Sequence, residues 1–143
     1  MRGCYIDTSI LGAYYCPEPL SESAEDFLQS IEIPAISLVT EVEFFSLVAK
    51  KKRMKDFGEA KARKILMEFQ THLEESLYQK IIPLPDHYCK AMEMIGEFKT
   101  SLHALDAMHL AIAKKAGLPI ATADLLLAKA ARVFQVETIL LRP

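Results

Sequence analysis

The sequence predicts an α/β protein: a three-layer α/β/α sandwich around a central parallel sheet of about five strands. Three observations predict it. Short apolar runs recur along the chain, longer stretches with helical spacing separate them, and the two kinds alternate throughout. Strands reached through helices run parallel, and right-handed crossovers then cover both faces of the sheet. The chain has 143 residues and no internal repeat, low-complexity segment or linker, so residues 1–143 are expected to form one domain with a sizeable core.

The elements follow in order. Cys4-Tyr5-Ile6 is the first buried strand. Ser21 to Ser30 is a helix that puts Ala24, Phe27, Leu28 and Ile31 on one face. Pro34-Ala35-Ile36-Ser37 is the second strand, with the helix Val42 to Lys51 after it. Asp56 to about Leu77 is a long helix, charged on one side, with Ile65, Leu66, Phe69 and Leu73 on the other. Ile81-Ile82-Pro83-Leu84 is the third strand, and the helix His87 to Phe98 turns Tyr88, Ala91, Met92 and Ile95 inward. Leu105 to Ala116 packs through Leu105, Met108 and Ile112, and Gly117 ends it as a left-handed cap. Leu118-Pro119-Ile120-Ala121-Thr122 is the fourth strand, Asp124 to Arg132 the last helix, and Glu137-Thr138-Ile139-Leu140-Leu141 the fifth strand.

Composition narrows the class. Hydrophobic residues make up 51% and charged residues 25%, the balance of a globular chain rather than a disordered one. No apolar run approaches the roughly 18–20 residues a membrane span needs. The acid at position 7 comes too early for a signal peptide, and an intracellular, cytoplasmic protein is expected. Cys4, Cys16 and Cys89 are odd in number and lack C-x-x-C spacing, which argues against a disulfide framework or a zinc site. Five glycines, none in a phosphate-binding pattern, exclude a nucleotide loop.

The chemistry lies in where the acids fall. In an open parallel sheet, ligands bind beyond the carboxyl ends of the strands. Asp7 follows the first strand, Glu43 is on the first turn of the helix after the second, and Asp124 follows the fourth. Asp106 opens the helix that leads into that fourth strand. Three of these acids have an ordinary alternative role. Thr40-x-x-Glu43 fits a capping box, Asp124 can cap the last helix, and Asp106 can face a helix dipole. Asp7 stands where no cap alone requires it. Glu41 is not a rival to Glu43, because two residues apart on a helix they point about 200° apart. The formal net charge of −2 does not exclude a nucleic-acid substrate, since counting these four acids out leaves +2 on the rest of the chain.

These segments resemble a known family, the PIN domain, and within it the VapC-type ribonuclease toxins. The matching motifs are Tyr5-Ile6-Asp7-Thr8-Ser9-Ile10-Leu11 and Ile36-Ser37-Leu38-Val39-Thr40-Glu41-Val42-Glu43. Leu102-His103-Ala104-Leu105-Asp106-Ala107-Met108-His109-Leu110-Ala111 and Ile120-Ala121-Thr122-Ala123-Asp124 follow in the family's order. The resemblance implies a metal-dependent endoribonuclease in which Asp7, Glu43, Asp106 and Asp124 hold Mg2+ or Mn2+ and catalyse RNA hydrolysis. It implies that Thr8 or Ser9, and Thr122, steady the first acid, the metal-bound water or the phosphate. It also implies 5′-phosphate and 3′-hydroxyl ends, a small cognate antitoxin whose tail fills the acidic groove, and a homodimer. His103 departs from the basic residue many relatives carry there. A hard divalent ion takes oxygen ligands and suits a carboxylate set.

Other residues have weaker claims. Lys50, Lys51, Lys52 and Arg53 end a helix, where cations suit the dipole, and could contact RNA phosphates. Tyr14 and Tyr15 follow the Asp7 loop, where they could stack bases or pack. With Phe44, Phe45 and Phe57 they look exposed and suited to a partner. His109, three residues after Asp106, is near enough to support the acids but is expected mainly to pack. Two readings of other classes compete: a receiver-like Mg2+-binding signalling domain, and a non-catalytic scaffold of the same fold.

Overall fold

The computed structural model describes residues 2–143. Five strands and seven helices follow one another: β1 (Gly3–Ile6), α1 (Thr8–Tyr15), α2 (Ser21–Gln29), β2 (Ile33–Ser37), α3 (Leu38–Arg53) and α4 (Glu59–Glu74), then β3 (Gln79–Ile81), α5 (Pro85–Gly96), α6 (Ala104–Ala116), β4 (Ile120–Thr122), α7 (Leu125–Val133) and β5 (Thr138–Leu140). All pairings are parallel, in the order β3-β2-β1-β4-β5. The α/β/α sandwich expected from the sequence is present. Its strand order excludes the receiver reading, whose sheet runs 2-1-3-4-5.

The pleat of β1 divides the core. Cys4 and Ile6 face a cluster with Ile10, Leu11, Phe44 and Phe69, built from α1 to α4. Tyr5 faces the other way, into a cluster with Met94, Leu110, Ile112 and Leu127 from α5 to α7. The chain runs outward from β1 to β3, then crosses back to place β4 on the other side of β1. Neighbouring crossovers therefore diverge at the carboxyl ends of β1 and β4, which opens a crevice there.

Four features differ from the sequence reading. The segment after Asp7 is a helix, α1, and not a loop. It is buried nearly all round, so no amphipathic stripe marks it, and Gly12 lowers its propensity. Gly12 is there for space: a Cβ would stand 2.9 Å from Leu47 Cδ1 of α3. On α5, His87, Ala91 and Met94 face inward, while Tyr88, Met92 (63% exposed) and Ile95 face out. Both triplets have the same spacing. The cap decides between them, since His87 Nδ1 turns back to accept the Leu84 N–H at 2.8 Å. Leu105 is exposed on α6, whereas Met108 and Ile112 are buried. The third strand begins two residues earlier than expected and ends before Pro83, which has no N–H to donate to a ladder.

The aromatic residues also sort differently. Tyr15 and Phe44 are buried, and Tyr15 hydrogen-bonds His72 and Tyr78 at 2.6 and 2.7 Å, so Tyr15 packs rather than stacking on a base. Gly117 does close α6 in the left-handed conformation, with φ 68°. Among the described residues, no helix is long and apolar enough to cross a membrane.

Candidate active site

Asp7 is buried directly after β1 and, contrary to the sequence reading, it caps a helix: its side chain accepts from the Ser9 N–H at the start of α1. The cap is weak, at 3.4 Å, and two hydroxyls reinforce it. Ser9 Oγ and Thr122 Oγ1 donate to Asp7 at 2.6 and 2.8 Å. All three bonds fall on one oxygen, Oδ2. The same hydroxyls accept the N–H groups of Ala123 (3.0 Å) and Asp124 (2.9 Å), which stitches the end of β4 to the end of β1.

Glu43 comes from α3, which starts at Leu38, so the acid sits on the second turn and not the first. Thr40 does not form the expected box with it. Thr40 Oγ1 instead accepts the Ser37 N–H at 3.1 Å, which leaves Glu43 free of a capping role. Its Oε1 accepts the Thr8 hydroxyl at 2.7 Å and a close contact from His109 Nε2. Glu41 points elsewhere and pairs with Lys80 at 3.1 Å.

Asp124 is exposed and caps α7, its Oδ1 accepting from Leu126 N (2.8 Å) and Leu127 N (3.3 Å). Asp106, half-buried on the first turn of α6, receives no hydrogen bond from the described residues. All four acids line one open cleft of about 640 Å³ at the carboxyl ends of the strands. The tightest group within it is Asp7, Glu43 and His109, with one donor atom of each inside 4.8 Å of the others. Asp106 and Asp124 border the cleft outside that group.

His109 is the site residue that sequence reasoning undervalued. It is fully buried, and both ring nitrogens are engaged: Nε2 with Glu43, and Nδ1 with the Tyr5 hydroxyl at 2.6 Å. A ring held on both sides is placed to orient a carboxylate ligand rather than to be a ligand itself. Its position three residues after Asp106, on the same helix face, was the available signal.

The electrostatics follow. Burial, then the charges of Asp7, Asp124 and Glu43, raise the Asp106 carboxyl above its ordinary value. Burial would raise Glu43 too, but the hydrogen bond and charge of His109, together with the Thr8 hydrogen bond, outweigh this and lower it. Burial would lower His109, yet Glu43 and the nearby Asp7 and Asp106 charges raise it. Burial also pushes the Tyr5 phenol far up, which keeps it a neutral donor. A divalent cation fits this donor set. Asp7 Oδ1, Glu43 Oε2 and Asp124 Oδ2 take no protein hydrogen bond among the described residues, and the mutual repulsion of the acids calls for positive charge.

The helix splits the basic run. Lys50 and Lys51 line the acid cleft, and Lys51 also lines an adjoining hollow of about 400 Å³. Lys52 and Arg53 border a separate hollow beside Phe57 and Glu59.

A profile of the PIN domain matches residues 4–133. The chain belongs to the PIN domain family. This PIN domain shares its fold with several solved structures. FitAcB from Neisseria gonorrhoeae is 22% identical, with a TM-score of 0.68 over 97% of this chain and 96% of that one. VapC20 of Mycobacterium tuberculosis, described as a Sarcin-Ricin loop cleaving toxin, is 17% identical, with a TM-score of 0.71 over 89% of this chain and 94% of that one. VapBC2 from Rickettsia felis, bound to a promoter DNA fragment, is 16% identical, with a TM-score of 0.70 over 99% of this chain and 100% of that one. No curated protein matches the chain significantly.

Proposed function

We infer that this PIN domain is a cytoplasmic, metal-dependent endoribonuclease and the toxin of a toxin–antitoxin pair. One observation carries the reading. Asp7, Glu43 and Asp124 each fasten one carboxylate oxygen to the scaffold and leave the other free at the cleft. That is how a protein presents hard oxygen ligands at a fixed separation. Asp7 and Glu43 would hold Mg2+ or Mn2+, with Asp106 and Asp124 completing the acidic wall. Thr8, Ser9 and Thr122 support the first two acids.

Such an ion supplies charge neutralisation at the phosphate and an acidified water. The protein's own part is positional. Hydroxyl donors fix Asp7 and Glu43, and Lys50 and Lys51 offer positive charge to flanking phosphates. The side chains at hand favour a water nucleophile over a covalent enzyme intermediate.

The partner reading rests on the surroundings of the acids. Val42 (70% exposed), Leu105 and Met54 line the acid cleft, an apolar rim suited to an antitoxin segment carrying a basic residue into the groove. VapBC and FitAB neighbours are described as toxin–antitoxin systems or as complexes with promoter or IR36 DNA. The exposed row of Tyr88, Met92 and Ile95 on α5, with Leu84 just before it, supports a homodimer.

The test incubates the protein with a defined RNA pool in Mg2+, Mn2+ or EDTA, beside Asp7→Asn and Asp106→Asn. Cleavage only by the unaltered protein with metal is expected. Cleavage at the unaltered rate in EDTA or in either substituted protein refutes the mechanism.

A further inference from the structure

Four buried polar side chains lie behind Glu43 in places where apolar residues would pack. Tyr5, His109 and Ser37 are fully buried, and Thr40 with them. The Tyr5 hydroxyl contacts Ser37 Oγ at 2.8 Å, Thr40 Oγ1 at 3.2 Å and His109 Nδ1 at 2.6 Å. His109 Nε2 contacts Glu43 Oε1. A carboxylate only accepts, so Nε2 donates to it; Nδ1 accepts the Tyr5 proton when the ring is neutral and donates to the Tyr5 oxygen when the ring is charged. The Ser37 and Thr40 hydroxyls can both donate to the Tyr5 oxygen. Every donor and acceptor along the line is consistent with this order.

The line forms a closed circuit. It leaves α3 at Thr40, crosses β1 at Tyr5 and α6 at His109, and returns to α3 at Glu43. Capping α3 does not require it, since Thr40 already accepts the Ser37 N–H. What the circuit adds is a grip on one oxygen of Glu43. Asp7 gets the same grip from short side chains beside it, Ser9 and Thr122. Glu43 has a longer side chain with one more rotatable bond, and it starts from the second turn of a helix. Thr8 alone holds it from the cleft side.

The geometry points to Tyr5 and His109 as a positioning pair that fixes Glu43 with Oε2 toward the cleft and so sets the metal affinity of the site. The inference rests on the reading of Asp7 and Glu43 as metal ligands.

The experiment compares the unaltered protein with Tyr5→Phe, His109→Leu and His109→Gln. Mn2+ affinity is read by electron paramagnetic resonance of the free ion, folding by Tm in EDTA, and kcat and KM on one RNA across a Mn2+ series. His109→Leu should weaken Mn2+ binding roughly 10- to 100-fold, the usual cost of losing a group that orients a metal ligand. His109→Gln, whose amide nitrogen can stand near the Nε2 position, should recover part of it. Tyr5→Phe should weaken binding in the same direction but less. In each variant excess Mn2+ should restore kcat while KM for RNA stays unchanged, a rescue that a general structural defect does not give. Folded Tyr5→Phe and His109→Leu that bind Mn2+ as tightly as the unaltered protein overturn the pairing. If His109→Leu does not fold, unchanged affinity in Tyr5→Phe alone overturns it. Unaltered protein that binds no Mn2+ overturns the ligand reading itself, which the series separates from failure of the pairing.

Discussion

Thr122 donates its hydroxyl to Asp7 Oδ2 at 2.8 Å and accepts the Asp124 N–H at 2.9 Å, so one side chain joins the two acids that end β1 and β4. Thr122→Val keeps the shape and removes both bonds. It should cost about 1–3 kcal/mol, the penalty of leaving buried partners unsatisfied, as measured by urea unfolding in EDTA. It should also weaken Mn2+ binding roughly 10-fold or more, as titration would show.

Asp106 is held above its ordinary carboxyl value by burial and by its acidic neighbours, so ionisation of that group works against the metal-free fold. Asp106→Asn should therefore raise Tm in EDTA, abolish most of the Tm rise that millimolar Mn2+ gives the unaltered protein, and reduce cleavage by about 10²-fold or more. A Tm that falls in EDTA contradicts the electrostatic account.

The Glu43–His109 pair sets a pH window. Glu43 is lowered from an ordinary 4.5, so its contribution to stability is full above 4.5 and is lost as pH falls through the lower folded value. His109 is raised from an ordinary 6.5, so its contribution is full below 6.5 and is lost as pH rises through the higher folded value. Thermal melts of the metal-free protein should fall off on both sides of pH 4.5–6.5. His109→Gln should flatten the alkaline limb.

Gly12 faces Leu47 Cδ1 so closely that a Cβ would stand 2.9 Å away. Gly12→Ala should be near neutral, because the end of Leu47 can shift and alanine gains about 1 kcal/mol of helix propensity. Gly12→Val should destabilise by about 1–3 kcal/mol through overpacking between α1 and α3, as read by chemical unfolding.

Lys51 borders both the acid cleft and the hollow beside it, whereas Lys52 and Arg53 face away from the cleft. Lys51→Ala should raise KM several-fold and lower the salt dependence of RNA binding by about one unit of slope. The double change Lys52→Ala, Arg53→Ala should do neither.

The fold was legible because its central strands are buried on both faces. Cys4-Tyr5-Ile6 and Ile120-Ala121-Thr122 appear as continuous apolar or small runs, and the helices between them carry a stripe. Where burial covers every side, as on α1, the stripe vanishes and the helix was missed. Where two faces have equal spacing, as on α5, only the His87 cap decided which turned inward. The acids were legible as a group by their place after the strands. Their supports were not. His109 meets partners 66 and 104 positions away, and Tyr5 looked like any core aromatic. Capping and a place in the cleft also looked like alternatives in the sequence, yet Asp7 and Asp124 cap helices and line the cleft at once.

On the proposed toxin reading, that dual use shapes how the gene can lose its effect. An asparagine at position 7 or 124 keeps an oxygen for the backbone and hydroxyl donors that anchor the helix, and sets an amide in place of the free oxygen. An alanine there removes the anchor together with the charge. Cells escaping the activity should thus accumulate two kinds of allele: abundant, folded, inert protein from Asp→Asn changes, and scarce, protease-cleared protein from Asp→Ala changes. Only the first kind would still occupy an inhibitor, and so would free an active copy in the same cell.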